Sequence, residues 1–170
     1  MPARQDIETA PGRFLPAQGR YYEEFTVGEI YEHRPGRTIT ETDNTWFTLL
    51  TMNQHPAHFD VEYAAGTEFK RPLVASPLTV ALMVGMSVAD VSQRAIANLG
   101  WKEIKLTHPL FPGDTLYAKS EVLEKRESKS RPNAGIVTVL TTGTNQDGTV
   151  VCVFERTMLI PKMPSDNNET

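Results

Sequence analysis

The sequence predicts an α+β protein in which an antiparallel sheet curls around one central helix. Three observations carry this expectation. Residues 72–89 form a run without charge that contains one strong helix start. A short helix–turn stretch precedes that run, and strands of period two follow it to the end of the chain. The chain has 170 residues, which suits a single domain. With 39% hydrophobic and 22% charged residues it can bury a core.

Taken in order, residues 1–20 carry Pro2, Asp6, Glu8 and Pro11 and lack the apolar core of a secretory signal; they are expected to form a flexible arm. The domain is expected over 21–162, with a disordered polar tail at 163–170. Ile30-Tyr31-Glu32-His33 and Thr38-Ile39-Thr40 suggest two short strands around a Pro35-Gly36 turn. Thr40 or Thr42 can cap a helix through Trp46, Phe47, Leu49 and Leu50, with Asp43 near its positive end. His55-Pro56 stops that helix, because the residue before proline is pushed out of the α region. A second helical turn is expected at 60–65.

Ser76-Pro77 is the helix start inside the apolar run: the serine can cap, and the proline has no N–H to lose. Apolar residues from Leu78 to Val91 cover all sides, as in a helix buried on every face, which Gly100 would end. The run reaches the lower length limit of a membrane span, roughly 18 residues, but prolines and hydroxyls interrupt it, so a core helix is expected. Beyond Trp101, Ile104 and Leu106 alternate with polar residues. Three long antiparallel strands are then expected, the last two joined by Asn145-Gln146-Asp147-Gly148.

Charge and cysteine content exclude several function classes. A net charge of −4 argues against a basic nucleic-acid-binding surface. The single cysteine, Cys152, permits no internal disulfide and no four-cysteine zinc site, and it fits the cytoplasm. No membrane partner is expected either.

The densest polar cluster in apolar surroundings is Asn53-Gln54-His55-Pro56-Ala57-His58, followed by Asp60. It can be a polar turn whose histidines bond backbone carbonyls. It can equally be a site, because Ser76-Pro77 follows at a helix start, where free N–H groups and the positive dipole end stabilise an oxyanion. No metal is expected: Pro56 spoils the alignment of His55 with His58, and no further His or Cys lies near. Trp46, Phe47 and Trp101 are expected to pack in the core or between subunits.

The stretch from Leu50-Thr51-Met52-Asn53-Gln54-His55-Pro56-Ala57-His58-Phe59-Asp60 through Phe69-Lys70-Arg71-Pro72-Leu73-Val74-Ala75-Ser76, with Phe111-Pro112-Gly113-Asp114-Thr115-Leu116 later, resembles the MaoC-like (R)-specific enoyl-CoA hydratases. The resemblance implies the hotdog fold and a homodimer or higher oligomer. It puts the family's catalytic histidine on His58 and its oxyanion N–H on Ser76. The family aspartate falls on Asn53 and its asparagine on His55, the motif's His-Gly on Ala75-Ser76, and a supporting serine of some members on Val84.

An amide takes no proton at neutral pH, so Asn53 can position water but not act as base. His58 as base and acid is the favoured account; His55, Asp60 or Glu68 sharing the work is the other. The altered motif is similar to the subgroup acting on mesaconyl-CoA or itaconyl-CoA, whose second carboxylate wants an arginine. Arg37, Arg71, Arg126 and Arg131 are candidates, with CoA phosphates as a competing use and a solvated loop as the plainer account of 125–131. The implied activity is hydration of a short or branched 2-enoyl-CoA, with no cofactor beyond the CoA of the substrate. An acyl-CoA thioesterase and a non-catalytic acyl-CoA-binding paralogue are the alternatives.

Overall fold

A computed structural model describes residues 7–15 and 19–164. Within the expected N-terminal arm, β1 (Ile7–Ala10) and β2 (Arg13–Leu15) pair antiparallel across a turn at Gly12, whose φ is +72°. Positions 1–6 and 16–18, and positions 165–170 of the expected tail, lie outside the described residues.

Five strands form the main sheet: β3 (Ile30–Thr38), β4 (Ala97–Leu106), β5 (Thr115–Glu127), β6 (Ala134–Thr144) and β7 (Val150–Pro161). They are antiparallel in the order β3-β5-β6-β7-β4. Helices α1 (Glu41–Thr51), α2 (Val61–Gly66) and α3 (Ser76–Met86) lie between β3 and β4 in sequence. The inner face of the sheet packs on α3. Residues at alternate positions meet across the ladder, as in Val122↔Val139 and Gly143↔Cys152, and all four are buried. Gly143 leaves room for Met83 of α3, because a Cβ there would stand 2.6 Å from the Met83 sulfur.

The core has two apolar parts. One gathers Ile39, Leu78, Met83, Leu116 and Phe154, the other Tyr22, Phe25, Val91, Val122, Val137, Met158 and Ile160. Between them on the strands sit buried polar residues: His33 on β3, Ser120 on β5, Thr141 on β6 and Arg156 on β7.

Several elements depart from the sequence expectation. The two short strands are one, β3; its extra residues at 34–36 are taken up as a bulge, with a register shift between His33 and Arg37. Pro35 is tolerated because β3 is an edge strand, where a missing N–H need not break a ladder bond. Thr40 belongs to the helix cap instead. Ser76 does not cap α3. Ala75 holds the extended cap position without a side-chain bond, and Ser76 and Pro77 occupy the first two helical positions.

The central helix is neither buried all round nor continued to Gly100. It ends at Met86 and passes into a π-helical turn, Val88–Ser92. Pro77, Ala81, Gly85 and Ala89, spaced by four, leave one side open in the single chain. Gly100 lies inside β4, at a register shift. Four long strands, not three, follow the helix. Trp46 and Trp101 are 65% and 46% exposed, so neither is core in one chain, whereas Phe47 packs on the first core cluster.

Candidate active site

Local sequence signals build the segment that carries the polar cluster. Thr40 caps α1: its hydroxyl accepts from the Asp43 N–H at 3.1 Å, and the Asp43 carboxylate accepts from the Thr40 N–H at 2.8 Å. Arg37 is engaged by the same carboxylate at 2.6 Å. Burial pushes the Asp43 carboxyl up, but the Thr40 bonds and Arg37 outweigh it and hold it below its ordinary value. The helix closes on Met52 in the left-handed conformation, φ 55°. Asn53 then folds back, its N–H on the Thr48 carbonyl at 2.9 Å and its Oδ1 on the His55 N–H at 3.1 Å.

The two histidines are bonded in opposite senses. His55 Nδ1 accepts from the Ala57 N–H at 3.2 Å and caps the 3₁₀ turn Pro56–His58, so its hydrogen resides on Nε2. His58 Nδ1 lies 2.9 Å from the Leu73 carbonyl oxygen, which only accepts, so a hydrogen is on Nδ1, and in the neutral ring Nε2 is bare. The ring centroids are 5.7 Å apart, and among the described residues no group of three His, Cys, Asp or Glu side chains gathers as metal ligands would. Asp60 is occupied as the cap of α2, accepting from the Tyr63 N–H at 2.9 Å. Glu68 is exposed.

The strand-like residues before α3 are tied on both sides, Leu73 N–H to the Ala57 carbonyl and Val74 N–H to the Leu110 carbonyl, each at 2.9 Å. This brings His58 and Ser76 to one cavity of about 240 Å³, shared with Phe69, Thr79, His108 and Leu110. The N–H of Ser76, first in the helix, has no carbonyl one turn earlier to bond. A bare imidazole nitrogen and a helix N-terminus facing one space can remove a proton while stabilising negative charge on a neighbouring oxygen.

The other expected residues are placed differently. Asn53 lines a second cavity of about 290 Å³ with Thr45, Thr48, Leu49, Met52 and Phe59, not the His58–Ser76 cavity. His55 is exposed beside His58. Ala75 is fully buried and contributes backbone only, its N–H donating to Asn44 Oδ1 at 2.8 Å. Arg71 stacks on Phe111, 3.7 Å from the ring centroid, and Phe111 meets the cavity residue Phe69, so Arg71 stands at the rim. Arg126 and Arg131 are not brought there. Arg126 lies on β5 about 35 Å along the strand from Thr115, and Arg131 is exposed in the turn beyond.

Three residues near this geometry escaped the sequence reading: Asn44, Thr79 and His108. Asn44 is fully buried and bonds residues 14, 29 and 31 positions away, so no local pattern marks it. His108 stands just ahead of the Phe111-Pro112-Gly113-Asp114 phrase, and that position was its one signal.

Comparison with known proteins bears on the family and the fold. A family model described as mesaconyl-CoA hydratase matches residues 13–169. The chain is 33% identical over 144 residues to the mesaconyl-CoA hydratase of Cereibacter sphaeroides, covering 85% of this chain and 42% of that protein. It therefore spans less than half the length of that curated relative. A crystal structure of a putative MaoC domain protein dehydratase from Chloroflexus aurantiacus is 30% identical with TM-score 0.81, covering 89% of this chain and 44% of that one. A conserved Mycobacterium tuberculosis protein described as a double hotdog fold is 25% identical with TM-score 0.76, covering 86% of this chain and 46% of that one.

Proposed function

The chain belongs to the mesaconyl-CoA hydratase family of MaoC-like hotdog proteins, and from that premise we propose that it reversibly adds water across the α,β double bond of a 2-enoyl-CoA. The substrate is a short or branched acyl-CoA of the C5 dicarboxylyl kind, such as mesaconyl- or itaconyl-CoA. The single observation that carries the reading is that His58, its Nδ1 bonded to the Leu73 carbonyl, shares one cavity with Ser76 at the N-terminus of α3.

In this mechanism the thioester oxygen accepts from the Ser76 N–H at the positive end of the helix, which makes the β-carbon electrophilic. His58 Nε2 takes a proton from water as the oxygen bonds to the β-carbon. The negative charge gathers on the enolate oxygen, and the same proton then returns to the α-carbon. Both proton positions lie on one face of the double bond, so a single base serves. Asn53 is assigned the positioning of the water, although in the single chain it lines the other cavity. Ala75 leads the backbone into Ser76, His55 stands beside His58, and Arg71 waits at the rim for a carboxylate or a CoA phosphate. In one chain Arg126 and Arg131 are too distant for this, so their role depends on a second subunit. No cofactor is invoked; CoA arrives with the substrate.

The partner is a second copy of the chain. β4 is an edge strand exposed on both faces, with Leu99, Trp101, Ile104 and Leu106 in the open, and such an edge calls for cover. No helix among the described residues is long and apolar enough to cross a membrane. We place the protein in the cytoplasm, where its single buried thiol, Cys152, would stay reduced.

The test is a panel of crotonyl-, mesaconyl- and itaconyl-CoA, followed by the absorbance of the conjugated thioester. Turnover of a dicarboxylyl substrate is expected, and His58→Ala should lower its rate by about 10²–10⁴-fold in a folded protein. Release of free thiol would turn the reading to a thioesterase, against which stands the absence of any carboxylate among the described residues lining the cavity. Tight binding without turnover would turn it to an acyl-CoA-binding protein.

A further inference from the structure

Asn44 lies in the first turn of α1 and is fully buried, so it cannot touch a substrate. Its Nδ2 donates to two backbone carbonyls, those of His58 and Leu73, each at 2.7 Å. Its Oδ1 accepts from the Ala75 N–H at 2.8 Å. Two carbonyls and one N–H leave only one orientation for the amide, and all its hydrogens are used.

Each partner belongs to the chemistry. His58 carries the base. The Leu73 oxygen spends one lone pair on Asn44 and the other on His58 Nδ1, and this second bond keeps the hydrogen on Nδ1 and Nε2 bare. Ala75 is the cap of α3, directly before the proposed oxyanion donor Ser76.

We propose that Asn44 is the positioning residue of the site: one buried amide sets both the tautomer of His58 and the placing of its ring against the start of α3. The inference rests on the reading of His58 and Ser76 given above. Base and oxyanion donor must meet one substrate together, and a misplacement of about 1 Å can cost about 10²-fold in rate. Asn44 ties both to the same helix turn. A residue that only filled space would need none of the three bonds, whereas here an apolar replacement strands a carbonyl and an N–H inside the protein.

The test compares Asn44→Ala and Asn44→Asp with the wild type, using the full chain and its natural assembly. Asn44→Asp keeps the size and the acceptor for Ala75 but not both donors, and so guards against a misfolded alanine variant. Three quantities are read: thermal melting, kcat and KM on mesaconyl-CoA, and the imidazole ¹⁵N shifts of His58, assigned through the loss of its signals in His58→Ala. The wild type should show the Nδ1–H tautomer. The folded variants should lose about 10²-fold in kcat, keep KM within about threefold, and show His58 partly or wholly as Nε2–H. An unchanged kcat overturns the proposal, as does a fall in kcat with the Nδ1–H tautomer intact. Should the wild type hydrate no enoyl-CoA, the function reading fails, and the ¹⁵N shifts alone still decide whether Asn44 sets His58.

Discussion

His33 reaches no solvent, yet both of its ring nitrogens are bonded. Nδ1 donates to the Asp90 carboxylate at 3.0 Å, and Nε2 accepts from the Ser120 hydroxyl at 2.9 Å; Ser120 in turn meets Thr141 at 2.9 Å. Every bond in this chain suits a neutral imidazole. Burial drives its pKa down; the Asp90 bond and charge pull it back, and Arg156 and Arg20 add to the lowering, so the net value is below the ordinary one. Below about pH 6.5 the unfolded chain therefore binds a proton that the native state refuses. Stability is fully present above that pH and declines as pH falls toward the lowered native value. Melting temperature should drop on the acid side of about pH 6.5, and His33→Gln should flatten that slope. Equal slopes in the two proteins would refute the assignment.

Residues such as His33 and Asn44 were invisible in the sequence for the same reason. Their partners lie far along the chain, Asp90 57 positions from His33 and Ala75 31 from Asn44. His58 was legible because its neighbours in sequence, Asn53 to Pro56, already form a polar turn in an apolar stretch.

At the scale of elements, the start of α1 was readable, while the expected Ser76 cap of α3 falls instead on Ala75, without a side-chain bond. Thr40 with Asp43 starts α1 as one of the two expected caps, and Asp60 with Tyr63, the same spacing of three, starts α2 within the expected helical turn at 60–65. The end of α3 was not readable, because apolar residues continue past Met86 while the backbone widens into the π-helical turn that carries Asp90 to His33. Close approaches between elements were equally hidden. Gly135 of β6 lies so near Tyr22 that an added Cβ would enter the ring. The short 3₁₀ turn Tyr22–Glu24 and the end of the sheet can pack only because position 135 has no side chain. Gly135→Ala should therefore destabilise the protein by about 1–3 kcal/mol. A double-mutant cycle checks the cause: in a Tyr22→Ala background the same change should cost far less, and an undiminished cost would exclude the clash.

At the scale of the molecule, the open edge β4 and the unburied side of α3 leave a single chain with more exposed apolar surface than an isolated domain usually keeps. Light scattering on the eluted protein should give twice the mass of the chain, and Trp101→Lys on β4 should shift it to the monomer. A wild-type monomer at micromolar concentration would remove the self-pairing proposal. The amino-acid order by itself determined the fold class, the start of α1 at Thr40 and the polar turn with His58, because these depend on residues a few positions apart and on periods of two or three to four. Tertiary structure alone decided which charged groups reach the cavity, the hydrogen position on His58, the buried role of Asn44 and the polar layer across the core. Each of these is a hydrogen bond, a contact or a separation between distant segments, and such pairings exist only once the chain has closed on itself.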